Sequence, residues 1–130
     1  MRNLLLSLLA VLALAACAAA PPASSPPAPV MDMVDEAPVL LNAAEMPALV
    51  RRNYPALMRD AGVHGRATVR FVVGLDGRPE GASMRVLDTT QELFGTAAEH
   101  VVLRLRFTPA RVSGLPVRAW MTLPIEFTLH

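Results

Sequence analysis

The sequence predicts a small α+β domain: a three-stranded antiparallel sheet in the order 2-1-3, with helices packed on one face. Three observations carry that expectation. Residues 66–73 alternate apolar and polar and run into Asp76-Gly77, a hairpin turn signal. Phe94, Ala97, Ala98, Val101 and Leu105 recur at helical spacing. Val117, Ala119, Met121, Leu123, Ile125, Phe127 and Leu129 alternate without a break.

The elements follow in chain order. Met1-Arg2-Asn3 is a short basic start, and Leu4–Ala16 is an apolar run of 13 residues. That is shorter than the ~20 residues of a membrane span and reads as a signal peptide over 1–16. Leu14-Ala15-Ala16-Cys17 resembles the lipobox of bacterial lipoproteins. The resemblance implies acylation of the Cys17 thiol and cleavage just before it. Ala18 rather than Asp after the cysteine resembles cargo sent on to the inner leaflet of the outer membrane. Two readings stay open beside it: an inert Cys17 in an ordinary signal peptide, and an uncleaved inner-membrane anchor extended by Ala18–Ala20. With a single Cys in the chain, an intramolecular disulfide framework and a multi-cysteine zinc site are excluded.

Residues 17–44 read as a tether rich in Pro and Ala. Five prolines fall in residues 21–29, a composition that favours polyproline II and builds no core. Val39-Leu40-Leu41 is the one stretch there suited to pair with the domain as a short extra strand. All seven glycines lie between Gly62 and Gly114, so the folded domain is placed at 45–130. A chain of 130 residues has room for one such domain and little else.

Within the domain, Met46, Leu49, Val50, Leu57 and Met58 form an apolar set interrupted by Pro55. Proline removes a backbone donor and disfavours helix at the residue before it. Two short helices follow, about 45–53 and 55–61, closed by Gly62. Ala67, Val69, Phe71 and Val73 face the core from the first strand, opposite Thr68, Arg70 and Val72. Ala82, Met84 and Val86 continue the buried face on the returning strand. A helix over about 91–104 comes next, ended by Thr108-Pro109. In the last strand Arg118, Trp120, Thr122, Pro124, Glu126 and Thr128 occupy the face away from the core. Pro124 cannot donate to a ladder, which places this strand at an edge.

Charge and motif content narrow the function classes. Every base in the chain is Arg, and the 12 Arg against 11 acids are spread without runs, a pattern without a nucleic-acid signature. His64, His100 and His130 lack metal-ligand spacing, and Glu99-His100 is not a zinc-protease motif. Ser83 and Ser113 lie outside any nucleophile elbow, Gly62-x-x-Gly65 lacks the lysine of a phosphate loop, and Asp76 and Glu80 flank the hairpin turn as solvated carboxylates. The expectation is a protein without enzymatic activity, metal or cofactor.

Seven pieces then occur in register: Asn53-Tyr54-Pro55, Gly62-Val63-His64-Gly65-Arg66, Val69-Arg70-Phe71-Val72-Val73, Asp76-Gly77-Arg78, Leu105-Arg106-Phe107-Thr108-Pro109-Ala110, Gly114-Leu115-Pro116-Val117 and Pro124-Ile125-Glu126-Phe127. Over about residues 45–129 the chain resembles the TonB C-terminal domain family. The resemblance implies a helix-covered antiparallel sheet in the periplasm. It also implies an envelope partner, such as a TonB-dependent outer-membrane transporter, whose short peptide adds a strand to the domain's edge. Here that edge is Val117, Arg118, Ala119, Trp120, Met121, Thr122 and Leu123, with Tyr54 and Arg70 as further candidates for the docking surface; a core-edge aromatic packed with Pro55 is the other reading of Tyr54. The apparent lipobox, the absence of a histidine in the anchor region and the short tether depart from TonB. The alternative is a short TonB-like energy transducer with an uncleaved anchor; self-pairing into a homodimer through the same edge is a third reading.

Overall fold

The computed structural model describes residues 28, 29 and 34–129. The expected signal peptide, the lipobox with Cys17 and most of the expected tether lie outside the described residues. Among the described residues no helix is long and apolar enough to cross a membrane.

The chain enters through a turn at Ala43–Glu45 into helix α1 (Met46–Asn53). Pro47 sits in its first turn, where its missing N–H costs nothing. Tyr54 is extended before Pro55, and helix α2 (Ala56–Asp60) follows. Gly62, at φ +67°, closes α2 in the left-handed region. The break expected at Pro55 is therefore present.

Strand β1 (Gly65–Val73) is the centre of the sheet. It pairs antiparallel with β2 (Arg85–Thr89) on one side and with β5 (Ala119–Phe127) on the other, giving the order β2-β1-β5. This is the topology expected from the sequence, with the C-terminal strand at an edge. Ala67, Val69, Phe71 and Val73 are fully buried, as their parity requires. Helix α3 (Glu92–Val102) lays Phe94, Ala97, Ala98, Val101 and Val102 on this face. Phe94 stacks on Phe127 with centroids 5.0 Å apart, and Phe71 meets Phe107 at 5.8 Å. Burying each of these rings contributes about 1.5–3 kcal/mol of transfer free energy.

The hairpin between β1 and β2 is longer than its turn signal suggests. Gly77, at φ +81°, forms the turn, and Asp76 Oδ1 accepts the N–H of Arg78. The chain does not return directly as a strand, because Ser83 interposes. Its hydroxyl accepts the Val72 N–H (2.8 Å) and donates to the Glu80 carbonyl (2.7 Å). Residues Gly81–Ser83 form a tight turn, and Ala82 is exposed rather than on the buried face. Met84 is buried as expected, and Val86 is half-buried. Leu87 bulges between the pairs Thr68–Asp88 and Val69–Val86 and is exposed.

The long C-terminal alternation is also divided. Strands β3 (Ala110–Val112) and β4 (Leu115–Val117) form a separate hairpin, and Arg118 separates β4 from β5. Ser113 and Gly114 both have positive φ, 51° and 78°, the backbone of a two-residue hairpin turn.

The folded unit begins before Glu45. Residues 35–42 lie as a strap along residues 104–113. Glu36 bridges Arg111, and Leu40 bridges Phe107. Leu41 donates to the Arg106 carbonyl (2.7 Å), and Thr108 donates to that of Val39 (2.8 Å). Leu40 turns inward against the core while Val39 and Leu41 stay exposed. The expected pairing of Val39–Leu41 is present, and the tether boundary moves from residue 44 to about residue 34.

Candidate peptide-docking edge

One outer edge of the sheet is built by β5, and the ladder decides which of its groups turn outward. On β1, Arg66 and Val72 direct their backbone away from β5. Arg66 accepts from the Thr90 N–H, and Val72 accepts from the Glu80 N–H while donating to Ser83. The antiparallel ladder alternates, so Gly65, Ala67, Val69, Phe71 and Val73 are the residues bonded to β5. Their partners are Phe127, Ile125, Leu123, Met121 and Ala119. It follows that Trp120, Thr122, Pro124 and Glu126 turn their backbone groups outward. Pro124 sits opposite Thr68, where its missing N–H removes nothing from the ladder. The outward donors are the N–H groups of Trp120, Thr122 and Glu126.

Side chains frame this edge on both faces of the sheet. On the face away from the core, Trp120 is half-buried and lies under Arg70, whose guanidinium carbon is 4.3 Å from the ring centroid. Thr122 lies directly across from Arg70, and Val72 across from Trp120. On the helix face, Met46, Pro47 and Val50 of α1 line a groove with Pro124 and Ile125, about 260 Å³ in volume. A strand added to β5 would send alternate side chains toward the groove and toward Trp120.

The structure redistributes the residues expected at this site. Ala119, Trp120, Met121, Thr122 and Leu123 belong to β5, whose edge continues to Phe127. Val117 does not: it is in β4, paired with Ala110. Arg118 does not present its side chain to an edge either. It grips Glu80, with Nε 2.9 Å from Oε1 and Nη2 2.6 Å from Oε2. The hydrogen bond to Glu80 holds the guanidinium above its ordinary value, assisted by the carboxylate charge and opposed by desolvation. This clasp ties the turn after β1 to the start of β5.

Tyr54 is a core residue, which corrects its place in the docking surface. It is 5% exposed and meets Phe94 and Phe127 edge-on, each at 5.7 Å. Its hydroxyl donates to the Val63 carbonyl. Burial pushes the phenol above its ordinary value. Arg70, by contrast, stands beside Trp120 as the shared parity predicted.

Three contributors were not anticipated. Of the groove residues, Met46 and Val50 read in the sequence only as part of an apolar helix face, and Pro47 carries no signal there. Glu80 was read as a solvated turn carboxylate. The Ser113-Gly114 dipeptide, which turns β3 back into β4, is a turn signal in its own right. His64 Nδ1 accepts the Leu129 N–H (3.1 Å), fixing the end of the chain after β5. Among the described residues no three His, Cys, Asp or Glu side chains are grouped to hold a metal ion.

Comparison with known proteins bears on the same region. No curated protein matches the chain. Among solved structures, the solution structure of the Pseudomonas aeruginosa TonB C-terminal domain is 28% identical, covering 59% of this chain and 77% of that one, with a TM-score of 0.49. The family model described as Gram-negative bacterial TonB protein C-terminal matches residues 50–129, which takes in the second half of α1, the helices α2 and α3, the sheet and the whole of the β5 edge. The chain thus belongs to the TonB C-terminal family, and its folded part is a TonB-like protein-interaction module of the bacterial cell envelope.

Proposed function

We propose that this protein is a lipid-anchored, non-catalytic docking module that binds an extended peptide of an envelope protein by strand addition to β5. The observation that carries the reading is the outer edge of β5, with the outward N–H groups of Trp120, Thr122 and Glu126 unused in the sheet. Backbone pairing supplies affinity that depends little on sequence, and the flanking pockets choose side chains. The groove beside Val50 suits an apolar side chain, and Trp120 offers a flat ring on the opposite face. An outer-membrane transporter of the TonB-dependent class is the partner that the family suggests.

Leu14-Ala15-Ala16-Cys17 supports the anchor. One acyl chain holds a membrane marginally, whereas two or three hold firmly. With the strap docked, residues 18–34 are left to serve as tether, and 17 residues can span at most about 50 Å at ~3.1 Å each. Such a domain works close to its own bilayer.

Two measurements test the reading. Mass spectrometry of the native protein should find a chain starting at acylated Cys17; an intact Met1 would instead favour an uncleaved anchor and an energy-transducing role. Titration with peptides from the periplasmic N-termini of outer-membrane transporters should shift the emission of Trp120, the one tryptophan in the chain. An unmoved emission with every peptide would remove docking at this edge.

A further inference from the structure

A second site lies at the exit of α3, away from the docking edge. Leu105 turns inward and is fully buried, which leaves Arg104 and Arg106 exposed on either side of it. Asn42 of the strap clamps this stretch. Its Nδ2 donates to the Arg104 carbonyl (3.1 Å), and its Oδ1 accepts the Arg106 N–H (2.9 Å). Both arginines line one cleft of about 470 Å³ with Arg52 of α1, Asn53 and Leu49.

The charge in this cleft is unbalanced. Glu45 is the acid that lines it, and Asn42 Nδ2 donates to its carboxylate (3.2 Å). Three guanidinium groups against one carboxylate leave an excess of two positive charges. Among the described residues Arg52 and Arg104 have no ionic partner, and Arg106 Nη1 donates to the adjacent Leu105 carbonyl (2.9 Å). Clustered like charges repel, and an anion seated among them reverses that term. A single guanidinium fork satisfies a carboxylate. A phosphate presents more acceptor oxygens in several directions, and forks approaching from two walls match it better.

We propose that the cleft formed by Arg52, Arg104 and Arg106 binds a phosphate group. The group is carried either by a free phosphomonoester or by a lipid headgroup. This site is separate from the β5 edge: α1 turns Arg51 toward the groove beside β5 and Arg52 toward the cleft. The strap positions the two α3-exit arginines, so the site depends on a segment that the family match does not include.

The test uses the full chain in a nonionic detergent. Chemical shifts of the arginine Nε–H groups are followed during titration with glycerol phosphate, and in parallel with micelles doped with phosphatidic acid. Saturable shifts at Arg104 and Arg106 are expected in at least one arm, and comparison of the arms separates a free from a lipid-borne ligand. The double variant Arg104→Gln/Arg106→Gln should weaken binding by about tenfold or more, since it removes two charge-assisted donors. Glu45→Gln should tighten binding, because it removes the opposing charge. Both variants change exposed side chains, and circular dichroism checks that they fold. Non-saturating shifts in both arms, or binding indifferent to the double variant, overturn the proposal. Saturation by poly-glutamate but by neither phosphate source also overturns it, in favour of an acidic peptide.

Discussion

Arg70 lies over the face of Trp120, its guanidinium carbon 4.3 Å from the ring centroid, on the side of the sheet turned away from the core. The contact joins the central strand to the docking edge. It holds an aromatic ring flat beside the outward N–H groups of β5. A partly exposed pair of this kind contributes about 0.5–1 kcal/mol. Arg70→Ala should therefore lower stability by about that amount and change the emission of Trp120 in the unliganded protein. Trp120→Ala should cost peptide affinity about 2 kcal/mol, the range of an interface hot spot, while leaving the fold intact by circular dichroism.

Tyr54 is the single tyrosine, so its ionisation can be followed directly by tyrosinate absorbance. Burial raises its pKa above the ordinary value of 10.0. The neutral phenol is thus favoured by folding. The stabilisation is fully present below pH 10 and is lost as pH rises through the folded-state pKa. The absorbance change should appear only above the ordinary range and coincide with alkaline unfolding. Tyr54→Phe should abolish the absorbance change and cost about 1–3 kcal/mol, because the Val63 carbonyl loses its donor. Titration at the ordinary value in the folded protein would contradict the core placement.

Gly77 joins a positive φ to a close approach. A Cβ at this position would stand 1.9 Å from the Phe107 carbonyl oxygen, and the Phe107 N–H donates to the Gly77 carbonyl (2.9 Å). Gly77→Ala should therefore destabilise the domain by well over the ~1 kcal/mol of a left-handed alanine, since a backbone contact must also open. Thermal melting measures this. Phe71→Ala, at the centre of β1, should cost about 3–5 kcal/mol by the same assay.

The sequence carried the sheet order, the core face of β1 and the helical stripe of α3, because each rests on a period that burial enforces. The break at Pro55 was equally legible. Other features were set by contacts distant in sequence. Ser83 replaces a ladder partner through its hydroxyl, which makes Gly81–Ser83 a turn where alternation suggested a strand. Arg118 shares the parity of Trp120, yet Glu80 captures it from across the sheet. For Tyr54 the sequence leaves a core-edge place beside Pro55 and a place in the docking surface both open, and the two phenylalanines around it decide for the core. Of the strap, Val39–Leu41 was legible as a pairing segment, whereas the pairing of Asp35 and Glu36 with Arg111 and the clamp by Asn42 rest on contacts that no apolar pattern marks.

That strap should be the first part to open. Its pairing to residues 104–113 relies on backbone groups and Asn42, with Leu40 as its apolar contact to the core. Elements with so little buried apolar area open at low free energy. Hydrogen exchange should show Leu41 and Thr108 exchanging well before Val69 and Phe71. Asn42→Ala should hasten exchange at Arg106 in particular, whose N–H loses its acceptor.

The docking edge is tested most directly by a pair of prolines one residue apart. Thr122 turns its N–H outward, whereas Leu123 is bonded into the ladder opposite Val69. Thr122→Pro should fold with a melting temperature close to that of the parent, and should lose most of its affinity for an extended transporter peptide. Leu123→Pro should instead lose the fold. A folded Thr122→Pro variant that binds the peptide as tightly as the parent would contradict strand addition at β5.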